Sequence, residues 1–187
     1  MFRFIILSVL IASAVAVCPD VTTKPDFDLG QYVGDWYEIQ RIDTVFQSDS
    51  FCVRARYEAL NEPGTFSIFN SATKPDGEFI TITGTGYQTN TSAPASLTIQ
   101  FPGQPMGSYL VLDTDYTTYT TVYSCDVILG ITVEQGWLLS RTKTLSEDVI
   151  KMAMENFVKF GVDTNQFNQY YQGDDCNYDF PEASIKK

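Results

Sequence analysis

The sequence predicts an all-β protein, an eight-stranded up-and-down antiparallel β-barrel with one carboxy-terminal α-helix packed outside it. Three observations predict it. Between Trp36 and Arg141, short runs of strand-forming residues recur, each ended by a turn signal. The clearest run, 51–59, alternates between two faces. After Arg141 the apolar period switches once, from two residues to that of a helix. Eight such strands can close into a barrel whose interior holds side chains or one small ligand. A Greek-key sandwich is the architecture that competes on pattern alone.

The elements follow in order. Arg3 precedes an apolar run from Ile5 to Val15, and Ala14-Val15-Ala16 has the small-x-small form of a cleavage site, so residues 1–16 are expected to be a signal peptide and 17–187 one domain. An irregular arm opens the domain, and Asp26 to Gly34 reads as a compact turn or short 3₁₀ segment. The first strand is expected near Trp36–Ile42. In the second, Val53, Ala55, Tyr57 and Ala59 share the inner face, and Cys52, Arg54, Arg56 and Glu58 a wet outer face. Glu62-Pro63-Gly64 turns the chain into Thr65–Asn70, and Lys74-Pro75-Asp76-Gly77 into Phe79–Tyr87, whose glycines suggest a bend or bulge. Further strands read at 96–101, 108–113, 119–127 and 133–141. The helix runs from an N-cap at Ser146 to Gly161, with Ile150, Ala153, Met154, Phe157 and Val158 as its apolar stripe.

Charge and residue inventory narrow the function. The formal net charge of −11 becomes one unit more negative once Arg3 leaves with the leader, a surface that repels nucleic acid and anionic lipid. No segment after the leader reaches the ~20 apolar residues of a membrane span, so no membrane insertion is expected. The four cysteines, Cys18, Cys52, Cys125 and Cys176, read as two disulfides of an exported chain, with three connectivities open. Each long loop they close is worth about 4–5 kcal/mol in the chain-entropy view. The sequence contains no histidine, which removes imidazole as base, haem ligand or zinc ligand, and no metal or cofactor is expected.

Three segments resemble one family. Gly34-Asp35-Trp36, Thr114-Asp115-Tyr116 and Ser140-Arg141 are similar, in order and spacing, to the three signatures of the lipocalins, and the match is nearest the apolipoprotein D-like and arthropod carotenoid- and bilin-binding (crustacyanin-like) subgroup. The resemblance implies that Trp36 plugs the closed end of the barrel with Arg141 across its indole, a contact worth roughly 2 kcal/mol when desolvated. It implies the pairings Cys18–Cys125 and Cys52–Cys176, and a glycan on Asn90 in the sequon Asn90-Thr91-Ser92. It also carries over a pocket: Tyr57, Asn70, Phe101 and Trp137, with Tyr32 beside the entrance. Ala72 and Lys74 stand where that pocket has an acid and an arginine, so the ligand itself does not carry over.

The function expected is therefore a secreted, extracellular carrier, not an enzyme, holding a small hydrophobic molecule such as a carotenoid, bilin, fatty acid, sterol or retinoid. With every cysteine claimed by a bridge, no free thiol remains for covalent catalysis. The alternative is a protein-interaction or defence module working through its loops and the acidic tail from Asp174 to Glu182. The resemblance also makes a homodimer, or a heterodimer with another lipocalin, a plausible assembly.

Overall fold

The computed structural model describes residues 17–43 and 49–178; the expected signal peptide at 1–16 and the end of the acidic tail lie outside the described residues. Eight strands form the barrel: β1 (Gly34–Ile42), β2 (Phe51–Ala59), β3 (Thr65–Thr73), β4 (Phe79–Tyr87), β5 (Ser96–Gln100), β6 (Gly107–Thr114), β7 (Tyr119–Ile128) and β8 (Ile131–Ser140). Each pairs antiparallel with the next, and β1 closes the ring by pairing with both β8 and β2. The up-and-down order excludes the Greek-key alternative. A ninth short strand, β9 (Phe167–Gln169), pairs with Gln40–Ile42 where β1 has left β2. The sequence showed no sign of it: three residues are too few to carry a period.

The amino-terminal segment is helical rather than 3₁₀: α1 (Leu29–Tyr32) is one α-turn capped by the Asp28 carboxylate on the amides of Gly30 and Gln31. The glycines of β4 make no bulge, since the β3–β4 register is continuous from Thr65↔Tyr87 to Thr73↔Phe79. They clear space inside the wall instead. A Cβ on Gly86 would lie 2.0 Å from the Phe66 ring, and one on Gly84 2.7 Å from that of Phe101.

The helix α2 (Glu147–Val158) starts at Ser146 and packs on the outside of β6, β7 and β8. Ala153 and Phe157 are fully buried against Ile39, Tyr119, Tyr123 and Leu138. Val158, expected in the stripe, is exposed because it falls at the stripe's edge. Its place is taken by Val162. Gly161, at φ +77°, turns the chain so that the Val162 amide donates to Phe157 and the Gly161 amide to Val158, a Schellman closure that buries Val162 beside Phe157.

Both disulfides form in the pairing the resemblance implied, Cys18–Cys125 and Cys52–Cys176. The second draws residues 170–178 across β2, so its outer face is not wet throughout. Cys52 and Arg54 are buried, with Arg54 donating to the Tyr178 carbonyl at 2.6 Å, while Ala59, expected inside, is exposed at the strand's end. Gln172 clasps the tail to the barrel by donating to the Glu38 and Val53 carbonyls, both at 2.8 Å.

One end of the barrel is shut. Trp36 is fully buried there and donates to the Tyr32 carbonyl at 2.9 Å. Arg141 ties the plug down, donating to the carbonyls of Gln31, Tyr32, Val33, Asp35 and Tyr116. Gly34 (φ +109°) has no side chain because a Cβ would meet the Arg141 guanidinium at 3.1 Å. In the β6–β7 turn, the Asp115 carboxylate accepts from the amides of Thr117, Thr118 and Tyr119, and Thr114 bonds the Tyr119 carbonyl and the Tyr116 amide.

Candidate ligand-binding cavity

The strand directions put Asp49, Ser50 and the loops at 74–78, 101–106 and 129–130 around the other end, and a cavity of about 730 Å³ opens there. That volume lies in the range of small-molecule sites. Its wall is mostly apolar, with Phe66, Ile68, Ile99 and Leu139 among the lining side chains and Trp36 at its floor. The alternation of β2 and β3 turns Val53, Ala55 and Tyr57 inward beside Ile68 and Asn70.

Four of the five residues expected in the pocket line it: Tyr57, Asn70, Phe101 and Trp137. Tyr32 does not, and it is not beside the entrance. It is fully buried at the closed end, stacked 5.9 Å from Tyr57 and tilted against Trp36 at 5.3 Å, because α1 lies across the shut end of the barrel. It acts through its neighbours. The Tyr109 hydroxyl stands between those of Tyr32 (2.8 Å) and Tyr57 (3.0 Å), with Thr120 behind Tyr32 at 3.4 Å. Burial pushes the Tyr57 hydroxyl up to about 12, and it holds Tyr32 and Tyr109 well above the usual tyrosine value. The floor is therefore polar but uncharged.

Asn70 differs from these. Its Oδ1 is buried and finds no donor among the described residues. A buried acceptor left in this state costs about 1–3 kcal/mol. A ligand N–H or O–H at this wall would remove that cost.

Among the lining residues not singled out from sequence, two carry polar chemistry near the floor. Tyr109 sits on a strand with apolar residues on both faces, since α2 covers the outer one, so parity gave no orientation. Glu38 could have been found: it lies two residues beyond Trp36 on the same inward face. Its carboxylate is met at 2.6 Å by Arg41, itself fully buried, bonded to Asp43 and lying 3.7 Å from the Tyr170 ring. At the rim Lys74 pairs with Glu78 at 2.5 Å, and Ala72 leaves the wall smooth.

A cup-shaped β-barrel shut by Trp36 and Arg141 and hollow above them defines a barrel-type binding protein. The comparisons make this specific. Residues 27–172 match the lipocalin-like domain family, and the chain belongs to the lipocalins. It is 34% identical to mouse apolipoprotein D over 148 residues, 78% of this chain and 77% of that one. It is 31% identical to the outer membrane lipoprotein Blc of Vibrio cholerae over 162 residues, 87% and 92% of the two chains. Among solved structures, lobster apocrustacyanin A1 (25% identity, TM-score 0.72, 90% and 97% covered) and insecticyanin from the tobacco hornworm (25%, 0.73, 91% and 89%) share the fold. The protein is thus an apolipoprotein D-like, crustacyanin-like lipocalin, a member of the family whose three signatures its sequence resembles.

Proposed function

We propose that this lipocalin is a secreted carrier that holds one small hydrophobic molecule in the barrel. The observation that carries the reading is the buried, unpartnered Asn70 Oδ1 in the wall of a 730 Å³ apolar cavity open at one end. The ligand is a flat or elongated molecule (a carotenoid, bilin, fatty acid, sterol or retinoid) contacting Trp137 and Phe101, with a donor group at Asn70. Tyr57 contributes a neutral hydroxyl, and Tyr32 holds the floor from below. Glu38 offers no free charge to attract a cationic ligand, because Arg41 answers it.

Two features favour carriage over catalysis: all four cysteines are bridged, and the sequence has no histidine. Two long-range disulfides accord with export. Asn90 is exposed in the loop before β5 at the closed end, so a glycan there would leave the mouth clear.

The test is a titration of stripped protein with retinol, biliverdin, a carotenoid and a fatty acid, following fluorescence of the two tryptophans, both of which line the cavity. Saturable one-to-one quenching by at least one of them supports the carrier reading. Failure with all, together with an empty extract from native protein, overturns it in favour of a protein partner at the loops.

A further inference from the structure

We propose that the β7–β8 hairpin tip is an element that docks the barrel mouth on a neutral lipid surface. The turn residues are Leu129 and Gly130, both at positive φ (53° and 79°) between paired Ile128 and Ile131. Such a two-residue turn favours Asn-Gly or Asp-Gly, and a leucine there is strained. Leu129 is also 98% exposed, so neither backbone preference nor packing accounts for it. It has company. Ile131 is 68% exposed, Ile128 52% and Val127 48%, and Met106, in the loop entering the neighbouring strand β6, is 59% exposed. From Val127 to Val133 the hairpin carries no charge.

The occupant follows from shape and charge. The patch is five exposed side chains on a hairpin tip and the loop beside it, far short of the roughly 20–30 residues a side that a stable dimer interface uses. A fluid hydrocarbon layer needs no matching surface, whereas a second copy of the chain does. The flanking Asp126 and Glu134 and the net charge of −11 oppose an anionic membrane, which leaves a zwitterionic one. Asp126 also lines the cavity, so the hairpin continues the cavity wall, and a docked tip brings the mouth to the lipid. This is contact at the interface, distinct from a span; no helix among the described residues is long and apolar enough to cross a membrane.

The experiment measures co-flotation of ligand-free protein with phosphatidylcholine vesicles, so its outcome is independent of the carrier reading. Wild type is compared with L129N, which suits the turn better and so folds at least as well, with L129N/I131T, and with V158T, which alters an exposed valine on α2 away from the mouth. The expected result is binding insensitive to salt, at least tenfold weaker in L129N/I131T, intermediate in L129N and unchanged in V158T. Equal binding by wild type and L129N/I131T, or no binding by wild type, overturns the proposal. So does binding confined to phosphatidylserine vesicles, or a tip-dependent dimer in solution without vesicle binding.

Discussion

The Arg141 guanidinium carbon lies 3.6 Å from the centroid of the Trp36 ring, over the plug of the barrel. From there it reaches five carbonyls, four on the α1–β1 segment and one in the β6–β7 turn, joining two stretches far apart in sequence. A lysine keeps the charge but loses the planar fork. Arg141→Lys is expected to destabilise the fold by about 2–4 kcal/mol, since several charge-assisted bonds and the ring contact go together. Urea unfolding measures it, and ligand affinity of the folded fraction should change little, because Arg141 does not line the cavity.

Asn70→Leu separates stability from function. The leucine removes a buried acceptor without a donor, so the apo protein should gain about 1 kcal/mol. Affinity for a ligand with a hydroxyl, such as a long-chain alcohol, should fall about tenfold, while the matching alkane binds as before. An unchanged ratio between the two ligands would show that Asn70 does not meet the polar group.

The floor tyrosines govern behaviour in alkali. Their values are raised in the folded state, so their contribution to stability is whole below the unfolded tyrosine value near 10 and is lost as pH rises through the folded values, about 12 for Tyr57. Absorbance at the phenolate band should show Tyr32, Tyr57 and Tyr109 silent until the barrel unfolds. Single Tyr→Phe changes at these positions should each remove one late-titrating group.

Asp115 governs the acid side. Burial tends to raise its carboxyl, but the amides of Thr118, Tyr119 and Thr117 outweigh that and hold it below the usual value. Its contribution is therefore present above the unfolded value near 3.9 and disappears as pH falls through the lower folded one. Asp115→Ala should cost about 1 kcal/mol at neutral pH, the usual worth of such a cap, and flatten the decline of melting temperature below pH 4.

Much of the barrel was legible because its strands have one dry face and one wet face. Tyr57 and Val53 point inward as their parity requires, and the Ser146 cap and Gly161 stop bracket the helical turns. Parity failed where something covers the outer face: at Arg54, under the tail, and along β6, under α2. Tyr32 was misplaced because its position depends on how α1 lies across the barrel end, which no local pattern encodes. The cavity could be expected in kind but not in detail, since the orphan oxygen of Asn70 exists only once β2, β3 and β4 stand side by side.

The two disulfides have a consequence for a cut chain. Cys18 and Cys52 lie in the first part of the sequence, and Cys125 and Cys176, their respective partners, in the last. A protease that nicks any loop between residues 53 and 124 therefore leaves two fragments stitched together twice. Such a nicked molecule would migrate as intact until reduced, and it could lose a loop at the mouth while keeping its halves in register.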